Sequence, residues 1–283
     1  MLSKISESLK EILRNRIQSL CEDNNEIGVF LSSGVDSNSI LCSCLELKKK
    51  VVVYSFTLED RESTDFISAK NNAEKLSLEF VPIYLPTSID DLKKDVINLI
   101  EVHGARSKTQ VEVSWPFLKS IPFVRHNVTL SGSCSDGWFL VTKSAKLNHS
   151  YQLDKADAYR KMYLEKDSSK AKFIYDLFST SNLIHHSPYA SDKFIDLFKN
   201  IEWGVLNKPK QKMPIRKAFE KEFKELDIKS RISLQLGDSG ISELFSKLLD
   251  TDWNTRSLVD ARGIYNDIIR NFKSRESEQL KLF

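Results

Sequence analysis

Leu2, Ile5, Leu9, Ile12, Leu13, Ile17 and Leu20 recur three and four residues apart with polar residues between them, which predicts an amphipathic helix at the start of the chain. From Ile27 the pattern changes to short, continuous apolar runs. Ile27 to Leu31, Val51 to Phe56, Leu78 to Tyr84 and Val128 to Ser131 read as strands, and Thr64 to Lys75 and Ile89 to Val102 read as helices between them. Strands that alternate with helices imply right-handed crossovers and a mostly parallel sheet. Beyond about residue 150 the apolar residues fall on long charged segments such as Asp154 to Ser179 and Lys212 to Leu226, so the second half is expected to be helical throughout. Asn207 to Pro214, with two prolines and three lysines, reads as a connection between helices. The expected organisation is an opening helix over 1–25, an α/β domain over 26–150 and a helical region over 151–283.

Composition narrows this picture only at its edges. A chain of 283 residues can bury a substantial core. Its 42 Lys and Arg against 39 Asp and Glu leave a net charge of +3, too small to argue for a nucleic-acid or membrane surface. Cys21, Cys42, Cys44 and Cys134 form neither a CxxC pair nor the framework of a small secreted domain, and read as reduced thiols with no zinc. Lys4, Glu7, Lys10 and Glu11 interrupt the place where a signal peptide needs an apolar centre, and no run approaches the roughly 18 apolar residues of a membrane span. A cytoplasmic protein is expected.

The candidate chemistry begins in EIGVFLSSGVDSNSILCSCL, residues 26 to 45, where a strand breaks into Ser32, Ser33, Gly34, Val35, Asp36 and Ser37 before helical spacing resumes. In an open parallel sheet, ligands sit beyond the carboxyl ends of the strands, and a helix starting there presents N–H groups and partial positive charge. Three hydroxyls and a glycine suit an anion, whereas Asp36 faces a phosphate only with a cation between them. The turn therefore reads as a polyphosphate cradle with Mg²⁺ on Asp36. It is not the common P-loop, because the chain has no GxxxxGK[ST] run, and it has no GxGxxG fingerprint.

Leu31 to Ser37 resembles the pyrophosphate-binding loop (PP-loop) of the ATP pyrophosphatase superfamily, SGGxDS, with Ser33 in place of the first glycine. LSGSCSDGWF at 130 to 139 is similar to the second signature of the asparagine synthetase and β-lactam synthetase branch, SGxGxDExF. Asp65 in ESTDFISAKNNAEKL, SPYASDKFIDLF at 187 to 198 and KMPIRKAF at 212 to 219 resemble further segments of that branch. The resemblance implies a parallel-sheet, HUP-like nucleotide-binding domain followed by a mostly helical region. It also implies a ligase that attacks the α-phosphorus of ATP with a carboxylate or an amide-type oxygen, releases pyrophosphate, and then transfers the acyl group from the adenylate to an amine or ammonia with release of AMP. Carried over by position, it implies ATP contacts from Ser32, Ser33, Gly34, Asp36, Ser37, Asp65, Ser131 and Gly132, and Mg²⁺ on Asp36 and Asp136. A cation that steadies the α-phosphate is expected in IKSRISLQLGDSG, residues 228 to 240, where Lys229 and Arg231 both qualify.

The departures bear on substrate. Leu2 follows Met1 where glutamine-using members expose a cysteine, so nitrogen is expected as ammonia, from a separate glutaminase, or as an amine. Ser133 replaces a glutamate and Gly137 an acidic residue, which puts aspartate in doubt. Cys134 reads as a small buried thiol rather than a nucleophile, His185 and His186 as surface histidines, and Trp115, Trp138, Trp203 and Trp253 as core anchors. Lys208, Lys210, Lys212, Arg216 and Lys217 form one basic cluster that could face ATP phosphates, a polyanionic substrate or solvent. That cluster permits one alternative to a small-molecule ligase, an enzyme that modifies nucleobases or nucleic acid; the lost glutamate at Ser133 argues for a second, a non-catalytic nucleotide-binding scaffold, against which the intact Ser32, Gly34, Asp36 and Ser37 stand.

Overall fold

The computed structural model describes residues 1–142, 145, 152–229, 238–249 and 263–271. The chain opens with α1 (Leu2–Leu20), then β1 (Glu26–Phe30), α2 (Val35–Glu46), β2 (Lys50–Leu58), α3 (Thr64–Lys75), β3 (Glu79–Leu85), α4 (Ile89–Glu101) and α5 (Lys108–Ser120). It continues with β4 (Val128–Ser131), α6 (Ser135–Trp138), α7 (Leu153–Ser179), β5 (Ile184–His186), α8 (Lys193–Phe198), α9 (Trp203–Asn207), α10 (Met213–Ala218), α11 (Glu222–Glu225) and α12 (Ile241–Leu249). The four expected strands and the opening helix are present, and the fold is α/β with a five-stranded parallel sheet among the described residues.

The sheet order β3-β2-β1-β4-β5 positions the site. From β1 the chain winds outward through β2 to β3, whereas β4 pairs on the other side of β1, so the direction of winding reverses between β1 and β4. Clefts beyond the carboxyl ends of strands open at such reversals. Phe30 stands opposite Ser131 in the β1–β4 register, so the segments leaving these two strands start side by side.

Two expectations are corrected. The second half is not helical throughout, because β5 pairs with β4 through Thr129 and His185; a three-residue strand with two histidines carries no apolar period. Lys212 to Leu226 is not one helix but the two short helices α10 and α11. The sequence reading also passed over α5, which carries Pro116 in its interior, a residue that normally argues against a helix.

The chain forms two compact units. The first comprises Met1–Ser55, Asp65–Val81 and Val124–Arg231. Ile5, Leu9, Leu13 and Ile17 lie four residues apart and bury one face of α1. They join Val29, Val53, Leu130, Trp138 and Phe198 in a single core. Arg160 is 1 % exposed inside this unit and donates to the carbonyls of Trp138 (3.2 Å), Phe198 (2.7 Å) and Ile201 (3.3 Å) and to Asp157 (2.6 Å).

The second unit comprises Phe56–Thr64, Pro82–Phe123 and Ile232–Phe283. Trp115 is fully buried there, donating to Asp95 at 2.9 Å and meeting Phe245 edge-on. Glu112, on the same helix, is 4 % exposed and its Oε1 has no hydrogen-bond partner. Burial pushes its carboxyl up to about 7, against a smaller pull from Lys108. A raised carboxyl means that the fold favours the protonated acid. The associated stability is complete below the ordinary value near 4.5, declines as pH rises toward 7, and stays lost above. Glu112→Gln is therefore expected to be more stable than wild type at pH 8 by on the order of 2–3 kcal/mol and nearly equal at pH 4, read by urea melts at the two pH values. Equal stability at pH 8 would contradict this assignment. No helix among the described residues is long and apolar enough to cross a membrane.

Candidate active site

The turn after β1 is built almost entirely from bonds within itself. Ser32 and Ser37 share a hydroxyl–hydroxyl bond of 3.0 Å, the Ser32 N–H donates to Ser37 Oγ at 3.1 Å, and the Gly34 N–H donates to Ser32 Oγ at 3.2 Å. Asn38 closes the loop from below, its amide donating to the carbonyls of Ser32 (2.9 Å) and Gly34 (2.8 Å). Asn72 on α3 in turn donates to Asn38 Oδ1 at 3.0 Å. Asp65, at the start of α3, accepts from the Ser33 N–H at 3.0 Å and from its hydroxyl. All three serine hydroxyls of the loop are thus engaged within the protein. What the turn offers outward is the start of α2, whose first N–H groups have no acceptor in the helix and carry its positive end. Gly34 caps this helix at φ −77°, and a Cβ there would meet only Ser32 Oγ at 3.4 Å, so its service is an open mouth rather than an unusual backbone.

The second signature packs directly on the first. A Cβ on Gly132 would lie 2.7 Å from the Ser37 nitrogen and 2.9 Å from Asp36 Cβ, so only glycine permits this approach. Ser135 donates to Asp36 Oδ1 at 2.8 Å, which ties α6 to α2. Gly137, which stands where an acidic residue was expected, lies under the Tyr163 ring, and any side chain there would run into it. Ser131 is buried and bonds to His185 Nε2 at 3.0 Å and to Ser133 Oγ at 3.0 Å. His185 is no surface histidine: it is 1 % exposed, bonds Thr129 through Nδ1 at 2.9 Å and stacks on Phe178, and burial pushes it down to about 3. His186 is half-buried. A buried neutral imidazole therefore anchors the hydroxyl chain that ends on Ser133.

The two signatures meet on one side chain. Lys212 Nζ donates to Asp136 Oδ1 at 2.7 Å and to Asp36 Oδ2. The lysine is 2 % exposed and sits in the left-handed region at φ 61°, with its N–H on Asn207 Oδ1 at 3.2 Å. It does not belong to a solvated basic cluster. Beside it a cavity of about 300 Å³ is lined by Gly34, Val35, Asp36, Lys210, Gln211, Lys212, Arg216 and Lys229. Four cations face one carboxylate on this lining. Burial lowers the Arg216 guanidinium, while Asp36 acts in the opposite direction. The Lys229 N–H donates to the Ser33 carbonyl at 3.1 Å, and its ammonium pairs with Asp227 at 2.5 Å.

Two carboxylates converging on a single cation fit Mg²⁺ of the kind that takes few protein ligands and completes its shell with phosphate and water. The chain matches the asparagine synthase family model over residues 8–229. It belongs to the asparagine synthase family. That family is one of ATP-dependent amide-forming ligases. No curated protein matches the chain.

Among the residues anticipated for an asparagine synthase-like site, Ser32, Ser33, Gly34, Asp36, Ser37, Gly132 and Asp136 lie around the junction of the two signatures, and Asp65 reaches it through Ser33. Ser131 turns away toward His185, and Lys229 reaches the cavity, whereas Arg231 lies outside the described residues. Asn38, Asn72 and the central place of Lys212 were not anticipated. Asn38 follows the PP-loop motif by one residue and is polar on a buried helix face, which is the signal that could have found it. Trp115 and Trp138 are core anchors as expected, Trp203 is half-buried, and Trp253 lies outside the described residues. Cys134 is half-buried and packs against the core.

Proposed function

We propose that this chain adenylates a carboxylate with ATP, releasing pyrophosphate, and transfers the acyl group to an amine or to ammonia with release of AMP. The observation that carries this reading is the meeting of Asp36 and Asp136 on Lys212, which together with Asp36 lines a basic cavity that begins at the N-terminus of α2. In this reading the first N–H groups of α2 with Lys210 and Arg216 receive the β- and γ-phosphates. Donors already held in place stabilise charge that grows on the departing pyrophosphate. Asp36 and Asp136 would hold Mg²⁺, which when bound neutralises part of that same charge. Ser32, Ser33, Gly34 and Ser37 give the loop its shape, and Asp65, Asn38 and Asn72 keep it from collapsing. Lys229, which lines the cavity and is tied to the loop by its backbone bond to Ser33, would offer its ammonium to the α-phosphate after leaving Asp227.

The acceptor is proposed to be a carboxylate other than aspartate. Ser133 takes the glutamate's place and faces back to Ser131, while Tyr163 fills the space over Gly137, so neither position supplies a carboxylate for an amino group. The test is ATP–pyrophosphate exchange with Mg²⁺ and labelled ATP, screened against pools of small carboxylates, nucleosides, tRNA and DNA. The expected product with the true acceptor is AMP, and aspartate with ammonia is expected to give no exchange above background. ADP formed in proportion to substrate consumed would overturn the mechanism. Asparagine formed from aspartate would overturn the substrate assignment.

A further inference from the structure

We propose that the Lys212 ammonium is an exchangeable counter-ion: it holds Asp36 and Asp136 together in the nucleotide-free protein, denies free divalent metal that place, and yields it when phosphate enters. The inference rests on the reading of Asp36 and Asp136 as metal ligands. The oxygens decide the competition. Asp36 Oδ1 already accepts from Ser135 at 2.8 Å, so Oδ2 is the oxygen turned toward a cation, and Oδ2 is the one Lys212 holds. The same ammonium is bound to Asp136 Oδ1 at 2.7 Å. A divalent cation held by Asp36 and Asp136 would therefore compete with Nζ for these oxygens.

The lysine is built to stand there. Its backbone is held by Asn207, whose own amide donates to the carbonyls of Phe139 (2.8 Å) and Trp203 (3.1 Å), so the stem rises from a fixed base. Without a cation between them, two carboxylates this close would repel, which the ammonium prevents while the site is empty. Lys212 also lines the cavity in which Lys210 and Arg216 await an anion. Phosphate arriving there gives the ammonium another negative partner and frees the two carboxylates together. Metal and nucleotide are then taken up as one complex, and metal alone is held weakly.

The experiment measures Mn²⁺ alone, by electron paramagnetic resonance and by thermal shift, on wild type, Lys212→Met and Lys212→Asn. Asparagine is included because it tolerates the left-handed backbone of this position. Both variants are expected to bind Mn²⁺ at least about tenfold more tightly than wild type and to gain a Mn²⁺-dependent rise in melting temperature. Adding Asp36→Asn to either should abolish that gain. A folded variant that binds Mn²⁺ no more tightly overturns the inference. If wild type with α,β-methylene-ATP still takes up Mn²⁺, the reading of the site survives that failure; if it takes up none, the reading falls as well. Failure of both variants to fold would make the ammonium a structural group and would also overturn the proposal.

Discussion

Asp36→Asn is expected to lower ATP–pyrophosphate exchange by about a hundredfold or more, close to 3 kcal/mol of transition-state stabilisation, while the protein stays folded. Asparagine is isosteric and its amide oxygen can still accept from Ser135, so the contact between α2 and α6 survives. Lys212 keeps Asp136 as its partner. The loss of one charge-assisted bond should cost stability only about 1–3 kcal/mol. What disappears is the negative charge that a cation at this junction requires, and that charge has no substitute on the cavity lining, where the other charged groups are Lys210, Lys212, Arg216 and Lys229. Asp136→Asn should behave in the same way. Exchange rates measured beside urea melts separate the two effects, and exchange at the wild-type rate in a folded Asp36→Asn protein would remove the metal role from this residue.

Arg160→Met is expected to cost about 3–5 kcal/mol of stability, the largest structural effect of any substitution considered for this chain. Methionine fills much of the same volume but leaves Asp157 and the buried carbonyls of Trp138, Phe198 and Ile201 without their shared donor. Burial lowers the guanidinium from its ordinary value, with Asp157 opposing, so the pairing is what keeps the charge tolerable. Arg160→Lys should recover only part of the loss, because one ammonium cannot reach acceptors that a planar fork serves together. The urea midpoint reads the effect. Because Trp138 ends α6, the helix that carries Asp136, folded Arg160 variants should also lose exchange activity. An unfolding free energy within about 1 kcal/mol of wild type would contradict this role for Arg160.

The amphipathic opening helix, the first four strands, the placement of both signatures after strands and the glycine at 132 were all legible in the chain. Each rests on local pattern: an apolar period, a run of β-branched residues, or a turn whose residue types suit only a few backbones. β5 was not legible because its three residues owe their conformation to pairing with β4 rather than to their own preference. His185 was misread for a related reason, since a histidine's burial depends on finding partners, and Thr129 and Ser131 come from another strand.

The sequence by itself determined the kind of site: a loop of hydroxyls, glycine and a carboxylate at a helix start, and a second carboxylate after another strand. Only the tertiary structure decided how these groups are used. It closed the serine hydroxyls on one another and on Asp65, packed Gly132 against Asp36, laid Tyr163 over Gly137 and brought Lys212 between two carboxylates. The physical reason is that a hydrogen bond or an ion pair is a relation between two positions. Local spacing sets what a residue can offer, but which partner it meets depends on chain segments that the fold brings together from far apart.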